Sequence, residues 1–307
     1  MELRHLEHFL AVVDTGSFSA AAARLFLVQS SLSASVLSLE RELGTELFIR
    51  GRRGAVDTDA GRALVGPARA TLAAADRSKD AVAEVRGLMR GHVRIGTVAL
   101  PRSVDVLDTV AAFGKSHPGV DVHVLHDGAR DLVGWVADGK VDFAVTPQST
   151  KATPSVSFEP LMTTPVVVLC SPDHRLAGRR DVDPQELLGD RIIDLPSGWW
   201  ARELFDSLLS ARDLTRHVEV EVDEWFGLLT MVRRGIGISY GPLACIDRDT
   251  FGDIAWATLA DAPAWRLGIV TRDNTLRGAA GQAFLDAYRR RCREALSAEA
   301  GAPHPLT

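Results

Sequence analysis

The pattern of apolar residues changes at His92, and this change divides the chain into two structurally different parts. Before His92 the apolar residues recur at helical spacing in most segments. After it, short apolar runs alternate with helical stretches, which predicts a mostly parallel sheet with helices on its faces. A chain of 307 residues suits two or three domains. The roughly 200 residues after His92 are enough for two small α/β subdomains.

The second part contains eight predicted strands and five predicted helices. The strands are Val93–Val98, Val120–Leu125, Phe143–Thr146, Val166–Cys170, Arg191–Asp194, Val218–Val222, Gly237–Tyr240 and Leu267–Thr271. The helices lie near Val104–Lys115, Arg130–Ala137, Trp200–Leu209, Trp225–Arg234 and Leu276–Leu296. We expect the chain to cross between the subdomains near Thr146–Gln148 and after Thr271, and to end in a frayed tail over Ala298–Thr307.

The first 60 residues predict three short helices. Apolar residues from Leu3 to Val13 fall three and four positions apart, which indicates one buried face. Ser19 is the expected N-cap of a second helix, because its hydroxyl can accept an unpaired backbone N–H. The third helix is expected from about Ser30 to Leu43, where Gly44 ends it.

A basic hairpin and a long helix follow. Leu47–Arg50 and Val56–Thr58 are extended pieces around an Arg-rich turn, as in a β-hairpin wing. Thr58 can cap a fourth helix that ends near Gly91. Pro67 is expected either to bend this helix or to lie in its first turns. This helix carries a repeat of 3.5 residues, which predicts packing along a partner helix. The repeat comprises Leu64, Ala68, Thr71, Ala75, Ser78, Val82, Val85 and Met89.

The third helix and the hairpin together favour binding to double-stranded DNA. Short side chains on the exposed face let a helix enter the major groove and bond base edges or phosphates. That face comprises Gln29, Ser30, Ser31, Ser33, Ala34, Ser35 and Ser38, and the wing adds Arg50, Arg52 and Arg53. The whole chain has a net charge of −5, but residues 1–91 hold 12 Lys and Arg against 11 Asp and Glu. Local charge therefore permits DNA binding without requiring it.

The segment Leu3–Gly61 resembles the N-terminal domain of LysR-type transcriptional regulators without a gap. The matching residues are Leu6, Phe9, Val13, Gly16, Ser17, Phe18, Ala21, Ala22, Leu25, Gln29, Leu32, Ser33, Val36, Leu39, Glu40, Leu43, Gly44, Leu47, Phe48, Arg50, Thr58, Ala60 and Gly61. A weaker resemblance continues through Pro172–His174, Leu176–Ala177 and Gly235–Ile238.

The resemblance implies an α/β multidomain protein. Its parts would be a winged helix-turn-helix over 1–58, a linker and dimerisation helix over 59–91, and an effector-binding region over 92–297, followed by a flexible tail over 298–307. The effector-binding region would be a pair of Rossmann-like subdomains resembling periplasmic binding proteins, with subdomain I at about 92–163 and 266–297 and subdomain II at about 164–265. The implied partners are double-stranded DNA carrying an interrupted palindrome, a small-molecule effector, and further copies of the chain in a homodimer through the linker helix and in a homotetramer.

The sequence departs from the family pattern where the third helix begins. Val28 stands where the family usually has Ser or Thr before the Gln, and Ser30 where it commonly has Pro. Ala34 and Leu37 replace residues that are often basic or long and polar. We expect the wing arginines to carry an unusual share of the DNA affinity, and a ligand-binding module with weak or lost DNA binding remains an alternative.

Ligands in open α/β sheets bind outside the carboxyl ends of the strands, and helix N-termini there favour anions. This rule selects a set of hydroxyl, aromatic and basic residues in the second part. The effector candidates are Thr97, Arg102, Ser103, Thr146, Ser197, Trp199, Arg202 and Phe226. With Arg102 and Arg202 as carboxylate partners, the expected effector is an organic anion.

Other classes of protein fit the sequence less well. Gly237–Gly241 matches the GxSxG pattern of hydrolases, but His304 in the tail is the only later histidine, so we expect no enzyme. The 91 residues ahead of the α/β part argue against a solute-binding protein. Cys170, Cys245 and Cys292 have no metal or disulfide spacing and are expected as free thiols in a reducing cytoplasm. We expect no cofactor, no metal and no membrane partner.

Overall fold

The computed structural model describes residues 1–51, 54–84, 89–149, 153–262, 264–272 and 278–299. The chain begins with three helices, which are α1 (Leu3–Thr15), α2 (Phe18–Arg24) and α3 (Gln29–Leu43). Their apolar faces meet in one small core. It includes Leu6, Phe9, Val12, Ala21, Leu32, Val36, Leu39, Leu47 and Phe48, all buried.

Two glycines end helices of this core in the left-handed conformation. Gly16 follows α1 with φ 63° and Gly44 follows α3 with φ 70°, which confirms the predicted stop at Gly44. The expected cap at Ser19 was wrong, because Ser17 accepts the Ala20 N–H at 3.3 Å and α2 begins at Phe18. The centroids of the Phe18 and Phe48 rings are 5.5 Å apart, so the first residue of α2 packs on the core.

The hairpin and the long helix follow as expected. Strands β1 (Phe48–Gly51) and β2 (Gly54–Asp57) pair antiparallel, and α4 runs over Asp59–Glu84 with Pro67 inside it. The Thr58 hydroxyl accepts the Gly61 N–H at 3.0 Å, which confirms Thr58 as a cap. The helix stops short of Gly91, because Gly91 already pairs with Val120 in a strand.

The first turns of α4 pack on the core of their own chain. Ala68 is buried there, and Leu64 is partly buried against the same residues. Thr71 and Ser78 are exposed, whereas the Val82 side chain and Val85 lie outside the described residues. Met89 packs against the core of the second part rather than continuing the helical seam. Pairing of two such helices remains a prediction.

The second part is built on a seven-stranded sheet in the order β10, β6, β11, β5, β3, β4, with β9 also paired to β6. The strands of this sheet are β3 (Gly91–Thr97), β4 (Val120–His126), β5 (Phe143–Pro147), β6 (Val156–Cys170), β9 (Ser239–Pro242), β10 (Ala255–Thr258) and β11 (Ala264–Arg272). Strands β7 (Ile193–Asp194) and β8 (Val220–Glu221) pair parallel in a separate two-stranded sheet. The helices are α5 (Val106–Ser116), α6 (Ala129–Ala137), α7 (Trp200–Ser210), α8 (Trp225–Arg233), α9 (Arg248–Phe251) and α10 (Ala279–Glu299).

The sheet is mixed rather than mostly parallel. Strand β3 pairs parallel with β4 and β5, as the alternation of strands and helices predicts. Strand β11 then pairs antiparallel with both β5 and β6. The first half of β6, Val156–Pro165, pairs with β11, and its second half pairs with β9 and β10. The 15-residue strand β6 therefore belongs to both subdomains.

The predicted crossing points near Thr146–Gln148 and after Thr271 were wrong. The chain passes between the subdomains within β6 and at the beginning of β11, and the two strands stay paired across this junction. The sequence predicted only Val166–Cys170 of β6, because Pro160 and Pro165 interrupt the apolar run before it.

A buried charged cluster holds the second subdomain together. The Asp194 side chain is 1 % exposed and lies 2.6 Å from Nη2 of Arg216, which is 3 % exposed. The same carboxylate accepts the Leu195 N–H at 2.8 Å and the Tyr240 hydroxyl. Burial, and then the nearby Asp194 charge, raise the pKa of Tyr240 well above its usual value. Tyr240 thus stays a neutral donor to Asp194.

Among the described residues, no single helix has both the length and the apolar character needed to cross a membrane. The bent pair formed by α2 and α3 meets the test together, by length and composition only, across a 109° break.

We expect Arg216→Met to lower the free energy of unfolding by up to about 3–5 kcal/mol, because the buried Asp194 carboxylate loses its nearest cation and keeps only Arg202 Nε at 4.0 Å. Urea unfolding of the full chain, followed by circular dichroism, measures this loss. The control is Arg212→Met, which removes an ion pair to Asp261, whose side chain is 84 % exposed. This substitution should lower the free energy of unfolding by at most about 1 kcal/mol. Equal effects of the two substitutions would contradict the role of the buried cluster.

Candidate functional site

Helix α3 presents a face of small polar side chains to solvent. Gln29, Ser30 and Ser31 are exposed in its first turn, and Ala34 and Ser38 continue the exposed face one and two turns later. Small side chains leave room for a nucleic-acid groove to approach the helix backbone. This is the surface that the sequence predicts for DNA.

Three predicted residues of this face are bonded or partly buried within the protein. The Gln29 Oε1 atom accepts the Ser19 hydroxyl at 2.9 Å, which fixes the orientation of the amide. Ser35 Oγ is buried and has no hydrogen-bond partner among the described residues, and Ser33 is partly buried. The most accessible hydroxyls are therefore those of Ser30, Ser31 and Ser38, because these three residues are exposed.

The wing is anchored against the helices by backbone contacts. Ala55 N donates to the Gly16 carbonyl at 2.9 Å, and a Cβ on Gly54 would lie 2.6 Å from that oxygen. Only glycine at position 54 allows this approach. The Arg50 backbone pairs with Ala55, but its side chain and the residues Arg52 and Arg53 lie outside the described part of the chain.

A buried carboxylate fixes the wing relative to α3. Glu40 belongs to α3 and is 7 % exposed. Its Oε1 atom accepts the Leu47 N–H at 2.8 Å and the Phe48 N–H at 3.4 Å. The polar face of α3 and the hairpin are thus held in one orientation, as a surface that contacts two adjacent DNA segments requires. Glu40 matches the family pattern, but the sequence alone did not indicate this role.

The turn before α3 carries an unexpected strain. Phe26 has φ 56° and is 96 % exposed, although bulky side chains rarely adopt the left-handed conformation. Val28 occupies the N-cap position of α3 and its side chain makes no capping hydrogen bond. The sequence indicated that Val28 is unusual. It did not indicate the left-handed conformation of Phe26, because only the structure gives the backbone angle.

The second part contains an apolar cleft between its subdomains. The first subdomain contributes five lining residues, which are Val98, Ala99, Ala129, Pro147 and Trp265. The second contributes seven, which are Leu195, Trp199, Trp200, Ala201, Trp225, Pro242 and Cys245. The cavity itself is about 50 Å³, and the space that continues into the solvent at its mouth brings the total to about 450 Å³. Four of the twelve lining residues are tryptophans, so flat aromatic surface dominates the walls.

Of the predicted effector residues, Trp199 alone is part of this lining. Thr97 is buried beside it and donates to the Val98 carbonyl at 2.9 Å. Thr146 precedes the lining residue Pro147 and is fully buried, and its hydroxyl has no hydrogen-bond partner among the described residues. Ser197 is exposed, and Ser103 is partly buried in a short 3₁₀ helix.

Neither predicted arginine reaches the lining of the cleft. Arg102 is 72 % exposed at its side chain and pairs with the Asp249 carboxylate, with Asp247 at 3.7 Å. Arg202 donates to the Leu195 carbonyl at 3.0 Å and also pairs with Glu221. Acidic residues of the second subdomain pair with both cations, so neither guanidinium lines the cleft.

Phe226 is also outside the cleft. It is 59 % exposed and its ring packs edge-on against Phe251 at 5.0 Å. The neighbouring Trp225 enters the lining instead, with its Nε1 donating to the Cys245 carbonyl at 2.9 Å. A helix places adjacent side chains about 100° apart, so Trp225 and Phe226 point in different directions and only Trp225 enters the lining.

The thiols are buried and unreactive in character. Cys170, Cys245 and Cys292 are free, as the sequence predicts. Burial raises the pKa of Cys170 to about 11 and raises that of Cys245, in the cleft lining, further. Among the described residues no group of three or more His, Cys, Asp or Glu side chains is placed to hold a metal ion.

Two family models match the chain. Residues 3–62 match the bacterial regulatory helix-turn-helix protein of the lysR family, and residues 86–293 match the LysR substrate binding domain. The HTH-type transcriptional regulator ShiR of Corynebacterium glutamicum (strain R) is 30 % identical over 242 residues, which cover 78 % of this chain and 82 % of ShiR.

Solved structures share the fold at low sequence identity. A full-length variant of OxyR from Pseudomonas aeruginosa has a TM-score of 0.68 at 20 % identity, covering 95 % of each chain. Full-length CbnR complexed with its target DNA has a TM-score of 0.58 at 22 % identity, covering 95 % of this chain and all of CbnR.

We expect Phe26→Asn to stabilise the N-terminal helices by about 1 kcal/mol, because asparagine tolerates the left-handed conformation better than phenylalanine. Amide hydrogen exchange in α3 of the full chain measures the change as slower local opening. The control is Phe26→Ala, which removes the same exposed ring but gains little in backbone preference. Equal exchange rates in both variants would show that the backbone at position 26 is not strained.

Proposed function

The chain belongs to the LysR family of transcriptional regulators, and from this premise we propose how it binds DNA and how it is arranged. It is a DNA-binding regulator with an effector-binding domain. We propose a winged helix-turn-helix over 1–58, a linker helix over 59–91 and an effector-binding region over 92–297, with 298–307 as a tail. The observation that carries the proposal is the small polar face of α3 beside a hairpin that Glu40 holds in place.

The proposed DNA contacts divide into base-reading and phosphate-binding groups. Gln29 and the exposed hydroxyls of Ser30 and Ser31 would meet base edges at the start of α3. Helix α3 supplies no cation before Arg41, so Arg50, Arg52 and Arg53 of the wing would supply most of the phosphate contacts. An affinity that depends on few cations in one hairpin should fall steeply when those cations are removed.

The operator is proposed to be an interrupted palindrome. Two copies of the chain joined along α4 would present two α3 helices related by a twofold axis, and half-sites would then be spaced by whole turns of DNA. The repeat of small residues along α4 supports this pairing, since Thr71 and Ser78 are exposed on the helix. We propose the homotetramer on the same basis, as two such dimers on one operator.

We also propose that the protein acts by binding alone and has no catalytic activity. Ser239 of the GxSxG segment lies within strand β9, is 1 % exposed, and so does not sit on an exposed turn as a hydrolase nucleophile does. With DNA as its partner, the protein is proposed to work in the cytoplasm.

Selection of genomic DNA fragments with purified protein tests the proposal. The triple change Arg50→Ala, Arg52→Ala, Arg53→Ala should abolish selection at moderate salt. At low salt it should reduce the slope of log affinity against log salt by about 0.9 for each lost phosphate contact. The control changes three exposed arginines of the second part to Ala, namely Arg191, Arg234 and Arg290. If the control loses affinity as the wing variant does, the wing is not the phosphate-binding element. If no fragment is selected by the unaltered protein, the alternative of a ligand-binding module holds.

We expect Val28→Ser to raise operator affinity roughly three- to tenfold, because the hydroxyl can donate to a phosphate while it caps α3. A fluorescence titration of the selected operator with the full chain measures the change. Val28→Ala is the matched control, since it removes the same side chain without adding a donor. Equal affinity of the Ser and Ala variants would mean that position 28 does not face the DNA backbone.

A further inference from the structure

The lining of the cleft differs in chemistry from a site for an anion. All twelve side chains of the lining are apolar, aromatic, or a neutral thiol, and they come from both subdomains. Trp200 and Trp265 pack edge-to-face with ring centroids 5.8 Å apart, one from each subdomain. The two subdomains thus meet across indole rings at the cleft, and the Arg102–Asp249 ion pair joins them outside its lining.

Several polar groups at the lining are already bonded within the protein. Trp225 Nε1 donates to the Cys245 carbonyl at 2.9 Å, and the Cys245 thiol lies 3.8 Å from the Ala99 carbonyl. Thr97, next to the lining, uses its hydroxyl on the Val98 carbonyl. These groups are not available to compensate a charged ligand for the loss of its hydration.

Two helices begin at the cleft, but acidic side chains offset their positive ends. Helix α6 begins after Gly128 and α7 after Trp199, and neither has a side-chain cap. Asp131 lies in the first turn of α6 and Glu203 in the first turn of α7. The free N–H groups of these turns suit the oxygen of a neutral carbonyl or hydroxyl group better than a full negative charge.

The titratable group at the rim is neutral in this environment. His126 lies at the end of β4, and its ring is 5.9 Å from the Trp199 ring across the cleft. Desolvation by burial lowers the pKa of His126, while the nearby Asp127 opposes this effect. Among the described side chains of the rim, His126 therefore adds no positive charge at neutral pH.

We propose that the effector is an uncharged, flat and largely apolar molecule of one or two rings, held between the indoles of Trp199, Trp200 and Trp225. The inference rests on the effector-binding role of the second part and replaces the organic anion expected from the sequence. Flat rings maximise contact with indole faces, and the transfer of apolar surface from water supplies the affinity. A single neutral oxygen on the ligand would meet the free N–H groups at α6 or α7.

Matched pairs of neutral and charged probes test the proposal. The probes are methyl benzoate against benzoate and methyl 2-naphthoate against 2-naphthoate, titrated into the full chain by calorimetry. Each ester should bind at least about tenfold more tightly than its carboxylate, because only the carboxylate leaves an unpaired charge in the cleft. Tighter binding of the carboxylates, or no binding of either ester up to its solubility limit, would overturn the proposal.

Three variants locate the site. Trp199→Ala should weaken ester binding about tenfold, and Trp199→Phe should restore most of it, because the flat surface returns. Trp135→Phe, on the outer face where Lys140 covers the ring, is the control and should bind as the unaltered chain does. Arg102→Ala should leave all four titrations unchanged, and a loss of carboxylate binding in that variant would favour the organic anion after all.

The outcome for the effector is separate from the outcome for DNA binding. Operator selection is carried out without any ligand, so its failure would remove the proposed operator contacts and leave the ester preference intact. A preference for carboxylates would remove the inference on the effector and leave the regulator with a different class of ligand.

Discussion

The strand β6 is the element on which the sensing part depends, because it is hydrogen-bonded in both subdomains. Its first ten residues pair with β11, and its last residues pair with β9 and β10. A continuous hydrogen-bonded strand is stiffer than a loop, so it limits how far the two subdomains can move relative to each other. The two walls of the cleft are consequently held at a defined separation, and their relative motion is limited to twisting or bending of β6 and β11.

The buried cluster around Asp194 extends this control to one wall of the cleft. Asp194 accepts the N–H of Leu195, a residue of the lining, and is itself held by Arg216 and Tyr240. Tyr240 lies in β9, which pairs with β6. The position of the wall is therefore tied through a charged pair to the strand that joins the subdomains, so stability and cleft geometry share the same residues.

The sequence predicted those features that depend on neighbours along the chain. Helix α3, the stop at Gly44 and the cap at Thr58 follow from local spacing and backbone preference, and all three are present. The first half of β6 was missed, since its pairing with β11 outweighs the local signal of two prolines. Arg102 and Arg202, which the sequence offered as carboxylate partners, lie outside the lining of the cleft and are paired with acidic residues. No local pattern reveals that Asp249, 147 residues further along the chain, binds Arg102.

Coupling between the cleft and the DNA-binding helices has a physical route through the first subdomain. Helix α10 packs on β3 and α5 and also contacts α4, the helix that leads from the DNA-binding part. A ligand can shift the protein toward one arrangement only as far as it binds that arrangement more tightly. An apolar ligand between indoles of both subdomains gains most contact when they close on it, so its differential affinity would favour closure. The resulting displacement of the first subdomain would reach α4 through α10, and with it the spacing of two α3 helices in a dimer.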